Sequence, residues 1–137
     1  MKFILDENHP PVLARVLEPL AAINDHEAVS VRHLGLEGTK DVDLLHILAN
    51  PVSKVVLITA DKAMSRRRHE VAAIRDTGAV VVIGMKAWNQ QPDILERARM
   101  LVWWWPTIVR CAENADRGSF LELPWSSSVG ALKRWRA

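Results

Sequence analysis

The chain has 137 residues, 49% apolar and 25% charged, with a formal net charge of +2. This is the composition of one soluble globular domain, large enough for a two- or three-layer core. A single cysteine, Cys111, excludes an internal disulfide, no Cys/His spacing reads as a zinc site, and no apolar run is long enough to span a membrane.

The N-terminal residues lack a basic stretch followed by a long apolar run and a cleavage site, so no secretory signal is expected and the cytoplasm is the default location. Charge is unevenly spread. Residues 1–60 carry five Lys/Arg against eight Asp/Glu, whereas residues 61–137 carry thirteen against eight. An acidic half facing a basic half suits a metal site beside a phosphate-binding surface.

In chain order, KFILD (2–6) is a short buried strand, an apolar run without alternation. A proline-opened helix follows over 10–22, its last turn shortened or kinked by Pro19. AVSVRHL (28–34) is a second strand, and a glycine-punctuated loop leads to a short helix at 41–49, capped by Thr39 or Asp41. KVVLITAD (54–61) is the clearest strand, and a basic helix over 63–77 ends near Gly78. AVVVIG (79–84) is the next strand. A helix from Pro92 to Trp105 is interrupted by Pro106, and a second helical piece runs to Ala115. SFLELPW (119–125) is a final edge strand. These elements make a domain over 1–125, with 126–137 as a basic, weakly ordered tail.

Strands alternating with helices imply a single three-layer α/β/α sandwich around a central, mostly parallel sheet. In such sheets functional groups gather beyond the C-terminal ends of the strands. Asp6 ends the first strand and Asp61 the third, so both carboxylates belong on one rim, and Asp41 at a helix start can reach it. Carboxylates crowded together repel one another and are tolerated where a hard divalent cation, Mg²⁺ or Mn²⁺, neutralises them. Asp6, Asp41 and Asp61 are the candidate ligands, with Asp43 and Glu7 in reserve. Thr59, two residues before Asp61, points the same way and is placed to hydrogen-bond a ligand. Asn8 orients water or phosphate, or caps the next helix, and the cap is the preferred reading.

Three stretches, MKFILDENHPP, VRHLGLEGTKDVDLL and VVLITADK, together resemble the PIN-like domains, a branch of the PIN ribonuclease superfamily. Small bacterial members of that branch open with a strand ending in D-E-N-L-P, continue with a V-R-D-L-G-L-R-G loop and helix, and reach a strand ending in T-x-D. The resemblance covers roughly residues 1–84. It implies an α/β/α sandwich, Mg²⁺- or Mn²⁺-dependent RNA cleavage, and often the toxin role in a toxin–antitoxin pair. Matched by position, Asp6 is the first-strand aspartate, Asp41 the helix-start acid, and Thr59 and Asp61 the T-x-D pair. The sequence departs from the pattern at His9, where leucine is usual, and at His33, where aspartate is common. It departs again after Asp61, where Lys62-Ala63-Met64 stands in place of a further acid and an aromatic.

Arg66, Arg67, Arg68 and Arg75 follow the acidic rim and are candidate contacts to an RNA backbone. The competing reading is a solvated helix face with Arg66 paired to Glu70. The five histidines lack metal-ligand spacing. Of the three adjacent tryptophans, Trp105 shares the core stripe of Leu101 and Ala98, while Trp103 lies on the polar side and either anchors an antitoxin or a second copy or is covered by the C-terminal strand or tail. Trp125 and Trp135 are further candidate docking residues. The rival to the nuclease is an interaction module of the same fold with a degraded site. A phosphoacceptor receiver domain fits poorly, because Lys86 lies beyond a glycine and the 54–61 strand carries T-x-D.

Overall fold

The computed structural model describes residues 1–137. Its strands are β1 (Lys2–Leu5), β2 (Glu27–Ser30), β3 (Val55–Thr59), β4 (Val80–Gly84), β5 (Ser119–Leu123) and β6 (Lys133–Arg136). Its helices are α1 (Pro11–Ala22), α2 (Asp41–Leu48), α3 (Arg68–Thr77), α4 (Lys86–Gln90) and α5 (Ile94–Asn114), with a 3₁₀ turn at Lys62–Ser65. The sheet order is β2-β1-β3-β4-β5-β6, with β6 antiparallel to β5 and every other pair parallel. The α/β class and the mostly parallel sheet expected from the sequence are present.

Successive side chains on a strand point to opposite faces, so each strand feeds two cores. Phe3, Leu5, Val56, Ile58, Val80, Val82, Leu121 and Leu123 face α1 and α5, where they meet Leu13, Leu17, Leu101, Trp104, Trp105 and Ile108. Ile4, Leu57, Val81, Ile83 and Phe120 face α2 and α3, against Leu44, Leu45, Ala73 and Ile74. The long apolar runs of β3 and β4 follow from burial on both faces. At the opposite end from the rim of strand C-termini, Lys54 Nζ donates to the carbonyls of Ala112, Glu113 and Ala115, tying the start of β3 to the last turn of α5.

Several local expectations are corrected. Pro106 does not interrupt its helix, since α5 runs through it from Ile94 to Asn114, and α1 passes through Pro19 to the expected end at Ala22. Each proline deletes one bond to the residue four earlier, and Arg15/Pro19 and Val102/Pro106 all lie on exposed faces, open to solvent. The second strand stops at Ser30, whose hydroxyl accepts the His33 amide in a turn. Helix α2 is capped by Lys40 without a side-chain bond, not by Thr39 or Asp41, and Pro10 rather than Asn8 precedes α1. The basic helix is split into the 3₁₀ turn and α3, which ends on left-handed Gly78 (φ 71°). β5 is not an edge strand, because Lys133–Arg136 of the expected tail pairs along it. Trp135 stacks on Phe120 at 5.3 Å and Trp125 packs edge-on to Trp88 at 4.6 Å, so both dock within the domain. No helix is long and apolar enough to cross a membrane.

Candidate functional site

After β1 the chain crosses to β2 on one side, then returns to β3 on the other, so the order reverses between β1 and β3. A crevice opens at such a switch point beyond the strand C-termini. Asp6 follows β1 and Asp61 lies just past β3. Strand alternation puts Asp6, Thr59 and Asp61 on the face that carries Ile4 and Leu57, the side of α2 and α3. Asp41 opens α2, and Glu70 sits in the first turn of α3.

Asp6 is buried, and each carboxylate oxygen has one partner. Its Oδ1 accepts the Glu7 amide at 2.8 Å, and its Oδ2 accepts the Thr59 hydroxyl at 2.9 Å. Thr59 Oγ1 in turn accepts the Asp61 amide at 3.0 Å. Burial raises the Asp6 pKa above its ordinary value against the lowering effect of the Thr59 and Glu7 bonds, with Glu7 and Asp61 adding repulsion. Asp61 caps the 3₁₀ turn, its Oδ1 accepting the Ala63 amide at 3.1 Å.

Asp41 is half-buried, and its pKa is pushed up to about 6 by burial and then by the charges of Asp6, Glu70 and Asp61, with Arg67 opposing. A helix N-terminus favours an ionised carboxylate, but that effect is modest and is outweighed here. Arg67 enters this cluster directly. Its Nη1 lies 2.8 Å from Glu70 Oε1, 3.0 Å from Asp61 Oδ2 and 3.9 Å from Asp41 Oδ2. The Glu70 bond, with Asp61 behind it, raises the guanidinium pKa above its ordinary value.

All of this geometry falls within one recognised unit, for the family described as a PIN-like domain matches residues 1–86. The chain belongs to the PIN-like domain family. No curated protein and no solved structure matches it. The PIN-like match includes Asp6, Asp41, Thr59, Asp61 and Glu70. It leaves α5, β5 and β6 outside.

For a PIN-like domain the implied group is a divalent cation, and the donor set here is carboxylate oxygen throughout, the chemistry Mg²⁺ and Mn²⁺ prefer. Burial first, and then the charges of Asp6, Glu70 and Asp61, raise the Asp41 pKa despite the nearby Arg67. In this side-chain arrangement, however, no three acidic or histidine side chains close on a common ion position. The donors fit the cation chemically, while a guanidinium lies among three of them.

Among the reserve residues, Glu7 accepts the Gly38 amide at 2.8 Å and so pins the loop before α2, while Asp43 is exposed. Glu70 is a candidate site residue that the sequence pattern does not single out. It pairs with Arg67 at i, i+3, not with Arg66 at i, i+4. The signal was its place one turn into the helix that starts at the rim after the third strand. Arg66 and Arg68 are exposed at that end, and Arg66 lines a shallow depression with Lys62, Ser65 and Lys133. Arg75 stands apart, on the last turn of α3 beside the Gly118 backbone.

His9 is buried, and its Nδ1 meets Arg97 Nη2 at 2.8 Å. Burial, then the Arg97 charge, lower its pKa to about 4, so it is a neutral structural group. Arg97 donates through Nη2, which makes Nδ1 the acceptor and leaves the proton on Nε2, a buried atom without a partner. Trp103 is 58% exposed, with its Nε1 donating to the Ser127 carbonyl at 2.9 Å.

Proposed function

We propose that this PIN-like protein is a metal-dependent ribonuclease, using Mg²⁺ or Mn²⁺, and acts as the toxin of a toxin–antitoxin pair. The observation that carries the reading is the gathering of Asp6, Asp41, Asp61 and Glu70 at the switch point between β1 and β3. Asp6, Asp41 and Asp61 would hold the cation, with Glu70 as a fourth acid. When bound, it supplies Lewis-acid activation of water and neutralises charge developing on a phosphodiester.

The chain's own residues prepare that site. The Thr59 hydroxyl and the Glu7 amide orient the two Asp6 oxygens, and the Ala63 amide orients Asp61. Thr59 is thereby a positioning residue. Arg66 and Arg68 at the exposed start of α3 are suited to an RNA backbone, gripping phosphate without reading sequence. The apolar surface on α5 around Leu95, Val102 and Trp103 is where an antitoxin or a second copy would dock.

A second reading, an interaction module of the same fold with a degraded site, is favoured by Arg67, which already pairs with Asp61 and Glu70. The two readings part on one experiment. Purified protein should cleave RNA with added Mg²⁺ or Mn²⁺, lose that activity to a chelator, and gain melting temperature with Mn²⁺. Asp6→Asn should fold and be inactive. Absence of both cleavage and Mn²⁺ stabilisation in the unaltered protein would leave the interaction module as the function.

A further inference from the structure

Arg67 precedes α3 on extended backbone, and its side chain turns back into the carboxylates while remaining 49% exposed. One nitrogen, Nη1, carries two hydrogens and faces Glu70, Asp61 and Asp41. Nη2 adds a long bond to Asp61 Oδ1 at 3.4 Å, and Asp41, at 3.9 Å, receives no hydrogen bond from the guanidinium. A compact divalent ion brings twice the charge to the same oxygens, and guanidinium and ion cannot occupy them together.

We infer that Arg67 is the resident counter-ion of the carboxylate site and sets its affinity for divalent cations. This rests on the metal-dependent reading above. The cation binds as the guanidinium leaves Asp61 and Glu70, and the half-exposed side chain has an open route to solvent. There the freed guanidinium lies at the mouth of the crevice, beside Arg66 and Arg68, where a phosphate of the substrate takes the place of the carboxylates it has left. Metal and RNA therefore favour each other's binding through one side chain.

The test follows two equilibria in the wild type, Arg67→Gln and Arg67→Lys. Mn²⁺ binding is read from the loss of free-ion paramagnetic resonance and from the melting temperature. RNA binding is read by anisotropy with a phosphorothioate strand, which resists hydrolysis, and its integrity is checked on a gel after each titration. Glutamine removes the competing charge, so Mn²⁺ affinity should rise about tenfold, while RNA affinity in saturating Mn²⁺ falls several-fold. Lysine keeps the charge but loses the fork, so its gain in Mn²⁺ affinity should be smaller and still measurable, which also covers a glutamine variant that fails to fold without metal. A residue that merely supports the fold would not move the two affinities in opposite directions. Unchanged or weaker Mn²⁺ binding by the variants, with the wild type binding normally, overturns the inference and leaves the metal-dependent reading standing. Mn²⁺ binding by none of the three proteins overturns that reading, and the inference with it.

Discussion

Thr59 and Asp6 sit on neighbouring strands, and the threonine hydroxyl donates to the buried carboxylate at 2.9 Å while its oxygen accepts the Asp61 amide. One fully buried side chain thus fixes both strand-terminal acids. Thr59→Val keeps the shape but orphans Asp6 Oδ2 and the Asp61 N–H. It should cost about 1–3 kcal/mol in denaturant unfolding and lower RNA cleavage, and Thr59→Ser should restore most of both.

Asp41 and Asp61 should respond oppositely to amidation in metal-free buffer. The folded-state pKa of Asp41 is raised from 3.8 to about 6, so its ionisation opposes folding above that range. Asp41→Asn should therefore stabilise by about 1 kcal/mol near pH 7, after allowance for its partial exposure. The gain should shrink through pH 6 and be gone below about pH 4. Asp61→Asn instead removes a partner of Arg67 and should destabilise. Thermal melts across pH check both signs.

His9 sets an acid limb of stability. Its pKa falls from 6.5 to about 4 on folding, so only the unfolded chain takes up a proton between those values. The stabilisation is complete above pH 6.5 and is lost as pH falls towards 4, to a total of about 3 kcal/mol. His9→Leu should flatten this limb in urea titrations at successive pH values. A limb of unchanged depth would place the titrating group elsewhere.

Adjacent tryptophans should separate assembly from folding. Trp103 is largely exposed, so Trp103→Ala should reduce self-association or partner binding while changing monomer stability by less than about 1 kcal/mol. Trp104 is buried and donates to the Ser126 carbonyl at 2.7 Å, so Trp104→Ala should cost about 3–5 kcal/mol. Light scattering with chemical unfolding distinguishes the two.

The parallel core was legible because β1, β3 and β4 are buried on both faces and therefore read as unbroken apolar runs. Asp6 and Asp61 were legible for the related reason that each charge ends such a run. Glu70 was hidden, because its relation to the rim exists only once α3 packs against α2. The partner of Arg67 was equally a matter of backbone: the split between the 3₁₀ turn and α3 turns this side chain inwards. Pro106 misled because propensity counts a lost hydrogen bond without knowing which way the carbonyl faces. KRWR in β6 has no apolar run, and only the ring of Phe120 marks where Trp135 belongs.

The sheet face carrying Phe3, Leu5, Val56, Ile58, Val80 and Val82 is roofed jointly by α1 and by Leu101, Trp104, Trp105 and Ile108 of α5. Chain synthesis gives this arrangement a timetable. When residue 86 has left the ribosome, every acid of the rim has been made, but half of that apolar roof has not. The burial that holds β1 beside β3, and so brings Asp6 to Asp61, is completed only as the last third of the chain arrives. The rim is thus fully assembled only when translation of the chain is nearly finished.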